Sequence, residues 1–162
     1  MRATLKTLSH LDYAMVAHLD LGPEQEQFVD PLDWVFAQLR NSAHPELEHP
    51  FAIVFRQEVV GFFVLREKAA SPEWAPPNVI TSHSIRIGRV YQGNRYGRAA
   101  IGLIVEWVLA NRPGINRIMA AINARNSTSR NAFMRVGFRD TGATYLGPVG
   151  LQNIFEYQFS SG

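Results

Sequence analysis

Tyr91 to Glu106 reads Y-Q-G-N-R-Y-G-R-A-A-I-G-L-I-V-E and joins a strand pattern to a helix pattern through a glycine turn. Ahead of it, Ile80 to Val90 alternates around Ile85 and Ile87, the period of a strand. Behind it, Ala100, Leu103, Ile104, Trp107 and Val108 recur at three- and four-residue spacing and give a helix one apolar stripe. Gln92, Gly93 and Gly97 supply the tight polar turn between them. Such a turn leaves several backbone N–H groups without partners. They point, with the positive end of the helix dipole, at one place, which is where a phosphate binds. Two common phosphate signatures are missing: no Lys-Ser/Thr follows the glycines, and G-x-G-x-x-G does not occur. The glycines alone also suit a purely structural turn that needs their backbone freedom.

The length of 162 residues predicts one domain, 1–162, large enough to bury a core. With no cysteine, disulfides, thiolate metal sites and a cysteine nucleophile are excluded, which fits a cytoplasmic protein. No apolar run approaches the roughly 20 residues of a membrane span, and Met1 to Lys6 does not lead into a signal core. A net charge of +2 requires no nucleic-acid partner.

Taken in order, Ala3 to Leu8 alternates as a first strand, and Leu11 to Leu19 carries Met15, Val16 and Leu19 at helical spacing until Gly22-Pro23. An acidic stretch follows, with Glu24, Glu26, Asp30 and Asp33 among Phe28, Val29 and Trp34. Asp30-Pro31 reads as N-cap and first turn of a helix over Leu32 to Arg40. The acids equally suit a solvated helix start. Ser42 to Pro50 reads as a loop, and Phe51 to Phe55 and Val59 to Leu65 as a hairpin. Lys68 to Asn78 contains Pro72, Pro76, Pro77 and Trp74 and reads as a surface connection. After the central unit, Arg117 to Ile122 is a strand, and Asn126 to Ser129 offers cap oxygens to a helix ending near Arg135 before Gly137. Phe138 to Thr141 and Ile154 to Phe159 close the chain as strands around Gly142 to Gly150. The expected fold is mixed α+β, a central sheet with helices on both faces.

Two separated patterns resemble one family. Gln92-Gly93-Asn94-Arg95-Tyr96-Gly97 resembles the Q/R-x-x-G-x-G/A acetyl-CoA turn of GNAT N-acetyltransferases. Asn126-x-x-Ser129-x-x-x-Phe133-x-x-x-Gly137-Phe138 resembles their second motif. More weakly, P-E-Q-x-x-F-V from Pro23 resembles the start of spermine/spermidine-type members. The resemblance implies a twisted, mostly antiparallel sheet of six or seven strands. It also implies acetyl transfer from acetyl-CoA to a primary amine in a ternary complex, without a metal. Two positions depart from the family: Arg95 stands where its first glycine would, and Phe133 replaces its usual tyrosine.

On that resemblance Ile85 and Ile87 would hold the pantetheine arm from the strand edge. Gln92, Gly93, Asn94, Arg95, Tyr96, Gly97 and Arg98 would hold the diphosphate. Asn126, Ser129 and Phe133 would close the far side. An alkylamine has a pKa of about 10.4, so it must lose a proton before attack. His83, on the strand before the turn and with an ordinary pKa of about 6.5, is the candidate base, with Glu58 or water as alternatives. His83 shares a face with Ile85 and Ile87 unless a bulge breaks the parity. Tyr145 or Tyr157 could replace the hydroxyl missing at Phe133. The acidic Glu24 to Asp33 stretch favours a small cationic acceptor. Protein amines as acceptors, and a CoA-binding module without turnover, remain as other readings. A homodimer is the one macromolecular partner kept open; nucleic acid and membrane are not expected.

Overall fold

The computed structural model describes residues 2–159. Seven strands form one sheet in the order β1-β2-β3-β4-β5-β7-β6. They are β1 (Thr4–Thr7), β2 (Glu48–Phe55), β3 (Glu58–Glu67), β4 (Val79–Ile87), β5 (Arg117–Asn123), β6 (Arg139–Gly147) and β7 (Gly150–Gln158). Every neighbouring pair is antiparallel except β4 and β5. Helix α1 (Pro23–Glu26) and helix α2 (Leu32–Arg40) precede β2, α3 (Tyr96–Asn111) joins β4 to β5, and α4 (Ser127–Val136) joins β5 to β6.

The apolar stripe of α3 buries Ala100, Ile101, Ile104 and Val108 against Phe63, Leu65, Ile80, Ile118 and Ala120, with Phe133 from α4 in the same layer. On the opposite face, α2 buries Leu32, Val35, Phe36 and Leu39 against Ala52, Phe62 and Val64. The helices therefore cover both faces, as a sheet with two apolar sides requires. Arg56 and Gln57 turn the β2–β3 hairpin with φ of 51° and 66°, the twist that a two-residue hairpin favours.

Four segments differ from the sequence expectation. Leu11 to Leu19 forms only a 3-10 turn at Tyr13–Met15, because Val16 and Leu19 pack inward while Leu11 stays exposed and His18 Nε2 bonds the Val59 carbonyl at 2.9 Å. The Ser42 to Pro50 loop ends early, since β2 begins at Glu48. β4 stops at Ile87, and Arg89–Tyr91 is a 3-10 turn. Gly142 to Gly150 is not a loop but most of a long hairpin. A bulge between Asp140 and Thr144, with Gly142 at φ 87°, absorbs the glycine that read as a break.

Two irregularities of β4 create the site. Its register with β3 runs Val64↔His83 and then Phe62↔Arg86, so β4 carries one extra residue there, with Ser84 at φ 58°. Its parallel pairing with β5 ends at Ser82↔Ala120, although both strands continue. Beyond that rung the two strands part, and the backbone groups of β4 that face β5 have no ladder partners.

Candidate active site at the strand split

Two cavities meet at the split. The first, about 420 Å³, lies over the start of α3 and brings together Ile85, Ile87, Gln92, Gly93, Arg95, Tyr96, Gly97, Arg98, Asn126 and Ser129. Its wall also carries Arg86 and Arg135 and no carboxylate among the described residues. Arg86 is ion-paired with Glu26, and the other three guanidiniums concentrate positive potential at one place in a chain of net charge +2. The turn residues are held from behind: Gln92 Nε2 donates to the Ile87 carbonyl at 3.0 Å, and Asn94 Nδ2 to the Tyr91 carbonyl at 3.0 Å. Asn94 is thereby turned away from the cavity, whose wall does not include it. Arg95, at the N-cap of α3, has φ 63° and ψ 20°, the left-handed conformation that glycine adopts without cost. Its exposed side chain forms no hydrogen bond or ion pair among the described residues.

The second cavity, about 280 Å³, is lined by Phe28, Asp30, Trp34, Arg66, Trp74, Ser82, His83, Phe133 and Tyr145 among others. Val29, Ile85, Asn126 and Ser129 line both cavities, so the two adjoin beside the gap between β4 and β5. Asn126 is buried, and its Oδ1 caps α4 by accepting from the Ser129 N–H at 3.2 Å. Phe133 is buried and packs edge-on against Phe138, with ring centroids 4.9 Å apart.

His83 does not keep its ordinary pKa. Burial first, then the nearby Arg66 guanidinium, push the imidazole down to about 3. The ring is therefore held towards its neutral form, unlike an unperturbed histidine, although His83 is only half-buried where it meets the second cavity. Its Nε2 lies 2.7 Å from Thr81 Oγ1, and that hydroxyl donates a long bond of 3.4 Å to the Arg66 carbonyl. With its hydrogen so placed, Thr81 accepts from Nε2–H, and the neutral ring keeps its lone pair on Nδ1. The bulge at Ser84 breaks the parity that would have put His83 beside Ile87: His83 faces Trp74, whereas Ile87 lines only the first cavity.

Several residues enter that sequence reasoning placed elsewhere or missed. Asp30 does not cap α2, whose N-cap is Pro31 without a side-chain bond. Its carboxyl lines the second cavity instead, raised by burial with Arg66 opposing. Arg66 reaches Glu48 at 2.9 Å, an ion pair whose Nε falls outside hydrogen-bond geometry. Arg86, buried, donates to the Leu19 carbonyl, the Glu26 carboxylate and the Asp30 carbonyl at 2.8, 3.0 and 3.1 Å. This clamp fixes the Leu19 to Asp30 segment over β4 as the roof of both cavities. Its only sequence signal is an arginine inside an apolar strand. Glu58, Tyr157 and the remaining alternatives separate cleanly. Glu58 starts β3 and lines neither cavity, and Tyr157 packs against Phe138 and Phe159. Tyr145 lines the second cavity with its hydroxyl donated to Glu73 at 3.2 Å. No helix among the described residues is long and apolar enough to cross a membrane.

The family model of the acetyltransferase (GNAT) domain matches residues 2–139. An uncharacterized N-acetyltransferase of Bacillus subtilis, YbbJ, is 30% identical over 112 residues, 67% of this chain and 69% of the relative. The aminoglycoside acetyltransferase AAC(6')-Ib, solved with paromomycin and acetyl-CoA, superposes with a TM-score of 0.79 at 19% identity over 98% of this chain and 94% of its own. The spermidine N-acetyltransferase of Vibrio cholerae, solved with CoA and spermine, gives 0.72 at 14% identity over 97% and 95%. At such identities these two structures speak for the fold. The matched family model, the relative and the strand split agree: the chain belongs to the GNAT family and is an acetyl-CoA-dependent N-acetyltransferase.

Proposed function

We propose that the first cavity binds acetyl-CoA, that the second admits a small primary amine, and that the acetyl group passes between them at the strand split. One observation carries this reading: the two cavities share Ile85, Asn126 and Ser129 where β4 leaves β5.

The first cavity fits the donor. Arg95, Arg98 and Arg135, together with the free amides at the start of α3, suit a diphosphate; Arg86 is already committed to the clamp. A Cβ at Gly93 would meet nothing within 4 Å, whereas one at Gly97 would already touch Ala132 of α4 at 3.9 Å, so the open side of the turn lies at Gly93. Gly93, Arg95, Tyr96, Gly97 and Arg98 would hold the phosphates, and the unpaired edge of β4 beyond Ser82 would bond the pantetheine amides as an added strand. Asn94 and Gln92 would shape the turn from behind, and Phe133 would wall the thioester end. When bound, the donor supplies an acyl group activated by a thiolate leaving group.

The acceptor side is small and partly aromatic, which suits a compact amine better than a folded protein tail. Asp30 would attract an ammonium group, and Trp34 and Trp74 would meet it with ring faces. The same surroundings would then strip its proton. Burial and Arg66 shift the imidazole of His83 from 6.5 to about 3. Burial and the Arg66 guanidinium would likewise disfavour the ammonium form, against the pull of Asp30, and so favour loss of its proton to solvent. His83 would then act through the Nδ1 lone pair, accepting an N–H of the amine and aiming it, rather than as a base poised at neutrality. The amine attacks the acetyl carbonyl, whose oxygen would lie against N–H groups of the β4 bulge.

Acceptors of the polyamine and aminoglycoside classes, the ligands of the two superposed enzymes, are the first to try. Acetyl-CoA consumption with a polyamine, an aminoglycoside, an arylalkylamine and a lysine peptide tests the reading. Turnover of a small amine above the peptide supports it; peptide turnover alone overturns it. As an assembly we infer a homodimer, with Leu146 and Leu151 exposed on the β6–β7 hairpin as the surface to cover, and light scattering decides between one copy and two.

A further inference from the structure

The family's usual hydroxyl is missing at Phe133, and β4 carries one that no group among the described residues uses. Ser82 occupies the last rung at which β4 pairs with both neighbours, opposite Leu65 and Ala120. Like Ile80, Leu65 and Ala120, it faces the layer that contains Phe133. It is 4% exposed, and its Oγ has no hydrogen-bond partner among the described residues. It lines the second cavity together with Phe133, Asn126 and Ser129, at the mouth of the split. A buried hydroxyl without a partner is a costly thing to keep, and one on a residue that lines a reaction cavity points to a ligand atom.

We propose that Ser82 is a catalytic residue whose hydroxyl donates a hydrogen bond to the thioester sulfur as that sulfur leaves. The assignment rests on the reading that the donor's thioester lies at the strand split. In the step, the amine nitrogen forms the C–N bond with its lone pair, the C–S pair returns to sulfur, and the proton lost from nitrogen passes to solvent. Ser82 transfers no proton. A serine hydroxyl is a far weaker acid than a thiol of pKa about 8.5, so it stabilises the thiolate by sharing its hydrogen. Three other hydroxyls line this cavity: Tyr145 is already donated to Glu73, and Ser84 and Ser129 are less buried than Ser82 and can be met by water.

The test is the thiol pKa of CoA bound to the protein, followed by the ultraviolet absorbance of the thiolate. This readout needs no acceptor. In the unaltered protein Ser82 holds that pKa below its free value; in Ser82→Ala it rises by about one pH unit, tenfold in the protonation equilibrium. Ser82→Cys, close in size and a weaker donor, rises in the same direction. Ser82→Ala also lowers kcat about tenfold with a turned-over amine, leaves KM for acetyl-CoA within twofold, and melts no lower than the parent, since it removes an unpaired polar atom. A serine that merely packs would change neither the thiol pKa nor kcat, and that result overturns the proposal. So does a rise in thiol pKa in Tyr145→Phe with none in Ser82→Ala. If bound CoA shows the Ser82-dependent shift but no amine is acetylated, the acceptor reading fails and the Ser82 assignment stands.

Discussion

At His83 the imidazole stays neutral because burial and the Arg66 guanidinium both oppose its charged form. The unfolded chain carries an ordinary histidine of pKa about 6.5, so it takes up the proton first as the pH falls. The folded state is therefore favoured above pH 6.5 and loses stability from there down to about 3. At pH 5 the loss from this one group is about 2 kcal/mol. Urea unfolding at pH 7 and pH 5 should show that drop shrinking by about that amount in His83→Gln; an equal drop in both proteins would mean that the ring is not held neutral. Arg95 and Gly97 divide differently. Arg95→Gly relieves a left-handed residue worth about 1 kcal/mol but adds chain entropy to the unfolded state, so stability should shift by less than about 1 kcal/mol. The lost guanidinium should weaken CoA about fivefold to tenfold in titration, whereas unchanged affinity would place that side chain outside the phosphate site. The Cβ of Gly97→Glu meets only Ala132, at 3.9 Å, and the carboxylate can extend into the first cavity, so its melting temperature should stay close to the parent's while CoA binding disappears.

At the scale of elements, the site depends on keeping the roof over β4. Arg86 ties β4 to Leu19, Glu26 and Asp30, although burial disfavours its charge and Glu26 restores it. Arg86→Met would leave two carbonyls without a donor. The Glu26 side chain is 41% exposed and would be rescued by water, so the cost should be about 2 kcal/mol rather than that of a stranded buried charge. Because the roof covers both cavities, KM for donor and acceptor should rise together, by about tenfold or more; a rise for one alone would show that the clamp serves only that side. A second clamp works away from the site. Burial would raise the Glu67 carboxyl, but hydrogen bonds from Arg112 and His49 outweigh it and hold its pKa below the usual value. That group ties the end of β3 to the end of α3, and its contribution is present above about pH 4.5 and lost as the pH falls further.

At the scale of the whole molecule, what could be read from the sequence was what local spacing encodes. The Gln92 to Arg98 turn, the α3 stripe and the Asn126 cap each lie within one short segment, and the structure has all three. The second cavity was not legible because its walls come from Asp30, Arg66, Trp74, Ser82 and Tyr145, residues brought together only by the sheet. The bulge at Ser84 was not legible either: no glycine marks it, and it alone decides that His83 and Ile87 part company. Likewise Asp30 read as a helix cap by its neighbour Pro31, but tertiary packing uses it as a cavity wall. The account as a whole requires that one cavity hold the donor's diphosphate over the start of α3 and open onto the other at the strand split. Calorimetric titration of CoA into the protein and into Gly97→Glu tests that most directly. The expected dissociation constant is about 10 μM, near 7 kcal/mol of binding, in the former, with no measurable heat in the latter. Absence of heat from CoA at millimolar concentration in the unaltered protein, or equal heat in both, would contradict it.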